Sequence, residues 1–266
     1  MNLVLQGPAL TEDQASELGA AERISTHAWR IRGAKTVDAA WCEERRIDHA
    51  FVPEGRRFAD LKLVAMDMDW TLITMETIDE LGDLVGKKRE IAAITARAMR
   101  GEIDYPESLR QRVSLLKGLP ESGLLEVYET RLKLTAGAEA LLAACRKHGV
   151  KTLLVSGGFT YFVERLKARL GIDHAISNTL EAANGKLTGR VLGDIVDAEA
   201  KASKFREVTK GMNKNQTVAI GDGANDLKMM AEAGLSVAFR AKPVVRAQAN
   251  CALTWSGLDG VLNLFE

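Results

Sequence analysis

The sequence predicts an α/β protein in which helices flank a parallel sheet and a further helical segment is inserted near its start. The apolar run at residues 61–66 is typical of a buried strand, and two carboxylates, Asp67 and Asp69, follow it. Residues 76–132 are rich in helix formers and contain no convincing strand pattern. From residue 138 onward, strand and helix patterns alternate, which indicates a parallel sheet with right-handed crossovers.

The first sixty residues predict a small α+β unit that precedes this sheet. Thr11 and Gln14 form a capping-box pattern that starts a short helix. The turn pattern at residues 53–57 marks the boundary with the rest of the chain. The predicted elements of this unit are a strand at 2–6, the helix after Thr11, a strand at 24–31, a helix at 37–44 and a strand at 48–52.

The remaining elements follow from helical spacing and from short apolar runs bounded by turn residues. Apolar residues from Ile78 to Ala98 keep a helical spacing, and two further helices are expected between residue 106 and Thr135. Asn184-Gly185 is a typical hairpin turn. The predicted strands are 61–66, 151–155, 174–177, 217–220, 235–239 and 251–254, and the predicted helices are 138–148, 160–170, 199–210, 225–233 and 258–264.

The composition is that of a globular chain without an excess of either charge. Of the 266 residues, 46% are hydrophobic, and Lys+Arg and Asp+Glu each number 36. This balance argues against a broad nucleic-acid or membrane-surface partner. Three scattered cysteines, no leader pattern and no membrane-length apolar run predict a reduced, cytoplasmic protein. Effector binding, packing and homodimer formation are all open roles for the N-terminal unit, although it shows no ligand-binding pattern.

Polar residues that follow three predicted strands, together with one lysine, carry the predicted chemistry. Because parallel strands end at one edge of a sheet, these residues are expected to meet where α/β proteins bind ligands. Carboxylates suit Mg²⁺, whereas a hydroxyl, backbone N–H groups and a lysine suit phosphoryl oxygens. The acidic pair alone is more typical of a loop or helix cap, and the whole set favours a site. Its members are Asp67, Asp69, Ser156, Gly157, Lys201 and the acidic loop at residues 221–226.

The order of these motifs resembles the haloacid dehalogenase-like phosphohydrolases. Residues 74–80, 108–116 and 155–159 further resemble bacterial phosphoserine phosphatases within that superfamily. The resemblance implies a Rossmann-like parallel sheet, a helical cap inserted after the first core strand, and an ACT-like N-terminal unit. The implied domains are residues 1–56 for the ACT-like unit, 57–75 and 135–266 for the haloacid dehalogenase-like catalytic core, and 76–134 for the helical cap.

The resemblance also implies a reaction. This reaction is Mg²⁺-dependent hydrolysis of O-phospho-L-serine to L-serine and phosphate through an aspartyl-phosphate, the last step of L-serine biosynthesis. Asp67 is the expected nucleophile, and Asp69 is the expected general acid and then base. The expected metal ligands are Asp67, the backbone carbonyl of Asp69, and Asp222. Asp226 is expected to lie outside the metal ligands and to orient the lysine.

Substrate binding is expected to divide between the core and the cap. Glu76 and Arg112 would bind the ammonium and carboxylate groups of phosphoserine, the arginine through both of its outer nitrogens. Arg110 is the alternative to Arg112, and Lys204 is the alternative to Lys201. The expected ligands of the phosphoryl group are Ser156, the Gly157 backbone N–H, Lys201 and Asn225.

Trp70 departs from the resemblance, because phosphoserine phosphatases usually carry serine between the second aspartate and the threonine. An indole beside Asp69 could pack under the cap, narrow the substrate pocket or alter the substrate. Two other functions are therefore open. One is a phosphatase or phosphotransferase for another small phosphomonoester, and the other is a catalytically impaired regulatory or binding protein.

Overall fold

Eleven strands form two sheets in this computed structural model, which describes all residues from 1 to 266. Strands β1 to β4 form an antiparallel sheet in the order β2-β3-β1-β4, and β5 to β11 form a sheet in the order β11-β10-β9-β5-β6-β7-β8. The strands are β1 Asn2–Gln6, β2 Ala21–Ser25, β3 Ala28–Arg32, β4 Asp48–Val52, β5 Leu63–Asp67, β6 Lys151–Phe159, β7 His174–Ala183, β8 Lys186–Leu192, β9 Thr217–Gly221, β10 Leu235–Phe239 and β11 Cys251–Leu253.

Eleven α-helices cover these sheets and form the insertion between β5 and β6. No helix combines the length and the apolar character that crossing a membrane requires. The helices are α1 Glu12–Ser16, α2 Ala39–Glu44, α3 Thr77–Leu84, α4 Lys88–Met99, α5 Tyr105–Ser114, α6 Glu121–Glu126, α7 Ala138–His148, α8 Thr160–Leu170, α9 Ala198–Val208, α10 Leu227–Glu232 and α11 Pro243–Arg246.

The seven-stranded sheet is parallel except for its last strand, β8, which pairs antiparallel with β7. Strands β5, β9 and β10 are buried along their whole length, as expected of parallel strands covered by helices on both faces. The predicted α/β class and parallel sheet are therefore confirmed. Strand β5 lies between β9 and β6, so polar residues that follow these three strands come together.

The helices α3 to α6 form a cap, and the two chain segments that connect it to the sheet domain lie side by side. Ile73 and Leu134 form an antiparallel bridge, and the Thr74 N–H donates to the Lys133 carbonyl at 3.0 Å. The cap also contacts the β7–β8 hairpin, where the Gly118 N–H donates to the Leu187 carbonyl at 2.8 Å. The cap therefore stands over the carboxyl end of β5, which is the predicted position.

In the N-terminal four-stranded sheet, β1 is buried on both faces, whereas the edge strand β2 is largely exposed. Leu3, Leu5 and Trp29 pack beneath α1 and α2, whereas Val4 and Ala50 belong to the main core. Asp48 joins the units through hydrogen bonds that its carboxylate accepts from three successive backbone N–H groups, those of residues 254–256, at 2.7 to 3.2 Å. The ACT-like assignment, the domain boundaries and homodimer formation stay predictions.

Several predicted elements differ from the observed ones. The predicted strand at 24–31 is two strands, β2 and β3, because the chain reverses at Thr26-His27 without a glycine or proline to mark the turn. The helical spacing from Ile78 to Ala98 spans two helices, and Gly86 breaks it with a φ of +67°. The predicted helix at 225–233 is a 3₁₀ turn followed by α10, and the C-terminal helix at Leu258–Leu264 is of the 3₁₀ type.

Candidate active site

Asp67 is the last residue of β5 and stands at the centre of the site. In the sheet register, Met66 lies opposite Ile220 of β9 and Asp67 lies opposite Val155 of β6. The next polar residues along the two neighbouring strands therefore flank Asp67. These are Asp222 on one side and Ser156 on the other.

Lys201 is fully buried and holds two carboxylates together. Its Nζ donates to Asp67 Oδ1 at 2.7 Å and to Asp226 Oδ1 at 2.8 Å. Burial alone would lower the pKa of Lys201, but Asp226 and Asp67 outweigh it and raise that pKa above its ordinary value. The lysine therefore stays protonated between two acids. Lys204, the alternative, is partly exposed and pairs with Glu207 at 2.7 Å.

Both oxygens of the Asp226 carboxylate accept a hydrogen bond from the protein. Its Oδ1 accepts the hydrogen bond from Lys201, and its Oδ2 accepts one from the Gly223 N–H at 3.1 Å. Its position places the ammonium of Lys201 against Asp67. Asn225 beside it is partly buried, and its side chain donates no hydrogen bond in the structure.

Three carboxylates lie close enough to bind one metal ion. One oxygen from each of Asp67, Asp222 and Asp226 lies within 4.8 Å of the others. The Asp222 Oδ1 accepts only a long hydrogen bond of 3.4 Å, from the Thr71 hydroxyl. Burial and the nearby Asp226 raise the pKa of Asp222 to about 7. This set of hard oxygen donors fits a divalent cation, whose charge would offset their mutual repulsion.

The pKa of Asp67 is also raised to about 7, by burial and by Asp226, against the opposing effect of Lys201. Its Oδ2 accepts no hydrogen bond in the structure, since Lys201 binds only Oδ1. A buried carboxylate with one free oxygen is suited to attack a bound electrophile once it is ionised.

Asp69 is held in a different way from Asp67. Its Oδ1 accepts a hydrogen bond from the Thr77 N–H at 3.1 Å, and its Oδ2 accepts one from the Thr77 hydroxyl at 3.3 Å. Burial, with Glu76 and Asp67 nearby, holds the pKa of Asp69 well above its usual range. The two acids of the first motif thus have distinct environments, and that of Asp69 favours its protonated form more than an exposed site would.

Strand β6 is bulged near its carboxyl end, at residues 156–158. Ser156 is fully buried, and its Oγ accepts a hydrogen bond from the Gly158 N–H at 2.9 Å. The Gly157 carbonyl accepts two hydrogen bonds, from Asn178 Nδ2 at 2.8 Å and from the Tyr105 hydroxyl at 3.1 Å. These contacts fix the orientation of the bulge beside Asp67.

Glu76 and Arg112 both lie on the cap and are shielded from solvent. Arg112 is 7% exposed, and its Nε donates to the Ser108 carbonyl at 3.3 Å. Burial raises the pKa of Glu76 to about 7, although Arg112 opposes this shift. Neither side chain forms a salt bridge. Arg110 is exposed, which favours Arg112 over this alternative.

Tyr105 is a site residue that the sequence analysis missed. It begins α5, the helix that carries Arg112, and its hydroxyl reaches the bulge at Gly157. The arginine Cζ lies 6.0 Å from the centre of the tyrosine ring. The only available signal was its position seven residues before Arg112, two helical turns away on the same face of α5.

Trp70 lies outside the buried cluster. It is 53% exposed and adopts a left-handed conformation with a φ of +56°. Its indole lines a cavity that also reaches Asp222, so it does not pack under the cap helices. Every acid and base expected at the site is present and none is displaced by the indole.

Together, the strand-end acids, the buried lysine and the cap define a phosphohydrolase-type site on a Rossmann-like sheet. A family model described as haloacid dehalogenase-like hydrolase matches residues 64–231, and a second with the same description matches residues 200–265. The chain belongs to this family and, within it, to the phosphoserine phosphatases, as the relatives described next show.

One relative is a phosphoserine phosphatase from Polaromonas sp. strain JS666, which is 54% identical over 217 residues, or 79% of this chain and 92% of that protein. The structure of a probable phosphoserine phosphatase from Vibrio cholerae superposes with a TM-score of 0.86 at 38% identity and covers 99% of this chain and 85% of that one. A substrate-bound phosphoserine phosphatase complex has a TM-score of 0.72 at 38% identity over 77% of this chain and 99% of that one.

Proposed function

We propose that this protein is a Mg²⁺-dependent phosphatase that hydrolyses O-phospho-L-serine to L-serine and phosphate. The observation that carries the proposal is the buried Asp67, which is bound by Lys201 and lies next to Asp222 beneath a cap with unpaired charges. The named relatives support the same substrate. By the same family argument, we place the reaction in the cytoplasm as the last step of L-serine biosynthesis.

The cap residues explain why an amino-acid phosphate would bind. Buried charges are normally paired, and Glu76 and Arg112 are shielded charges without a salt bridge. Phosphoserine would supply the missing partners, since its ammonium suits Glu76 and its carboxylate suits Arg112. The phosphoryl oxygens would then accept hydrogen bonds from the side chains of Ser156, Lys201 and Asn225 and from the Gly157 N–H.

The two aspartates of the first motif would divide the chemistry. The free oxygen of Asp67 attacks phosphorus, and the bond between phosphorus and the serine oxygen breaks as Asp69 donates a proton to that oxygen. In the second step, Asp69 accepts a proton from water while the water oxygen attacks phosphorus. The bond to Asp67 breaks, and phosphate leaves. The raised pKa of Asp69 supports its role as the acid.

The residues that would hold Mg²⁺ are Asp67, Asp222 and the backbone carbonyl of Asp69. When bound, the cation would offset the charge of the carboxylates and of the phosphoryl oxygens. Asp226, whose two oxygens already accept hydrogen bonds, would continue to position Lys201.

Phosphate release from O-phospho-L-serine, with Mg²⁺ and with a chelator, tests the proposal. Asp67→Asn keeps the shape of the side chain and removes its charge, and Asp60→Asn, at an exposed acid paired with Arg57, is the matched control. We expect Mg²⁺-dependent release that only the first change abolishes. Release that persists in Asp67→Asn would refute the nucleophile. If only other phosphomonoesters are hydrolysed, Trp70 becomes the candidate cause of a changed specificity.

A further inference from the structure

We propose that Trp70, Arg240 and Lys242 form an outer anion-binding subsite, beside the metal carboxylates, that takes a tetrahedral oxyanion such as inorganic phosphate. The inference rests in part on the proposed phosphatase function, because phosphate is then the product that must leave. We call the cavity lined by these residues the outer pocket. It has a volume of about 330 Å³, and Trp70, Thr74, Thr135, Asp222, Arg240 and Lys242 line it.

The two cations of the outer pocket have no acidic partner. Neither Arg240 nor Lys242 forms a salt bridge, although many other surface cations in this protein do. The only side-chain hydrogen bond of the Lys242 ammonium goes to the Met99 sulfur of the cap, at 3.9 Å. The Arg240 guanidinium lies over the Phe239 ring, with its Cζ 5.1 Å from the ring centre. Both are therefore free to bind an anion.

The backbone holds the pocket walls in place. Trp70 and Arg240 are two of the four non-glycine residues with a positive φ, at +56° and +46°. Such conformations persist where surrounding contacts fix them, and they concentrate at functional sites. The Arg240 N–H donates to the Leu253 carbonyl at 2.7 Å, and the Lys242 N–H donates to the Asp222 carbonyl at 3.4 Å. The backbone of Lys242 is therefore hydrogen-bonded to the loop that carries Asp222, a proposed metal ligand.

The charge of the inner site explains the need for such a subsite. Five acids gather there against two cations, so once these acids are ionised the inner site is negative and repels a phosphate that approaches or leaves. Cations at the mouth counter this field and raise the local concentration of anions. The inner residues are Asp67, Asp69, Glu76, Asp222 and Asp226 with Lys201 and Arg112.

The first test is titration of the metal-free protein with sodium phosphate at constant ionic strength, by calorimetry and by tryptophan fluorescence. We expect saturable binding that perturbs Trp70, with the fluorescence change lost in Trp70→Phe. The double variant Arg240→Ala/Lys242→Ala should weaken binding at least about tenfold. Arg169→Ala/Lys210→Ala, which removes the same charge at two exposed, unpaired positions, should bind as the unchanged protein does.

Ser156→Ala separates the outer pocket from the inner site, because Ser156 belongs to the inner site alone. Binding that survives Ser156→Ala and is lost in the Arg240/Lys242 variant supports the proposal. Binding that is lost in Ser156→Ala and kept in the Arg240/Lys242 variant overturns it, as does the absence of any saturable binding. If Trp70→Ser leaves the calorimetric phosphate affinity unchanged, the indole is not part of the subsite.

An activity measurement distinguishes failure of the subsite from failure of the proposed function. In the Arg240/Lys242 variant, kcat/KM for phosphoserine should be lower and should fall less with added salt. If the variant and the unchanged protein both hydrolyse phosphoserine with the same salt dependence, the proposed function stands and the proposed subsite is refuted. If the protein does not hydrolyse phosphoserine but binds phosphate in a way that depends on Arg240 and Lys242, the subsite stands and the proposed function is refuted.

Discussion

The hydroxyl of Tyr105 on the cap donates a hydrogen bond of 3.1 Å to the carbonyl of Gly157 on the core. A Cβ atom at residue 157 would collide with this hydroxyl, so the glycine and the tyrosine are matched. The same helix, α5, carries Arg112. The contact therefore links residues 156–158, which are proposed to bind the phosphoryl group, to the part of the cap that is proposed to bind the substrate carboxylate.

Tyr105→Phe should weaken this contact between cap and core, because it removes the hydroxyl and keeps the ring. A net hydrogen bond is worth about 0.5–1.5 kcal/mol, so kcat/KM for phosphoserine should fall about 2- to 10-fold. The Gly157 carbonyl keeps its bond from Asn178, and the melting temperature should change little. Steady-state kinetics and thermal unfolding measure both effects.

Gly157→Ala extends this prediction into a double-mutant cycle. The added methyl group meets the Tyr105 hydroxyl, so the alanine should cost more activity in the unchanged protein than in Tyr105→Phe. Additive effects of the two changes would show that the hydroxyl and the glycine do not interact.

Lys201→Met should strongly reduce activity and destabilise the protein. It leaves Asp67 and Asp226 buried without their cation, and breaking a buried ion pair costs about 3–5 kcal/mol. Losing one donor to the transition state lowers kcat by about 10²–10³-fold. Lys204→Met is the control, since its pair with Glu207 is partly exposed and its effect should stay within about 0.5 kcal/mol. Equal effects of the two changes, by urea unfolding and kinetics, would contradict the assignment of Lys201.

Arg112→Lys should impair phosphoserine far more than a phosphomonoester that lacks a carboxylate. A bidentate contact to a carboxylate is lost, and hydrogen bonds to charged groups are worth about 1.5–3 kcal/mol, so KM for phosphoserine should rise about 10- to 100-fold. Hydrolysis of p-nitrophenyl phosphate should change much less. Arg110→Lys, at an exposed position on the same helix, is the control, and an equal loss on both substrates would exclude a specific role for Arg112.

The stability of the metal-free protein should decrease as pH rises through about 7. The pKa values of Asp67, Glu76 and Asp222 are each raised to about 7, mainly by burial. Between the unfolded pKa values, near 4, and pH 7, the folded state therefore binds more protons than the unfolded state. Stability then falls with rising pH, by up to about 1.4 kcal/mol per pH unit for each proton.

Thermal unfolding from pH 5 to 8 in a chelator checks this sign, and Mg²⁺ should flatten the slope because it favours the ionised carboxylates. Asp222→Asn removes one of the titrating groups and should reduce the slope in the chelator. A metal-free protein that becomes more stable toward pH 8 would contradict the raised pKa values.

The sequence by itself determined the fold class and grouped the polar residues at the ends of the core strands. Asp67 follows a buried apolar run, and that pattern places a carboxylate at a strand end whatever surrounds it. Motifs that follow successive parallel strands must meet at one edge of the sheet, so Ser156 and Asp222 could be grouped with Asp67 before any coordinates. Local patterns also located α7 and α8 at their observed bounds.

Only the tertiary structure decided between residues whose local patterns are equivalent. Lys201 and Lys204 lie one turn apart on α9, and burial against Asp67 and Asp226 separates them. Tyr105 and the outer pocket of Trp70, Arg240 and Lys242 join segments distant in sequence. The physical reason is that propensity and periodicity report interactions within a few residues, whereas charge pairing, desolvation and the contact of cap with core depend on chain segments that only folding brings together.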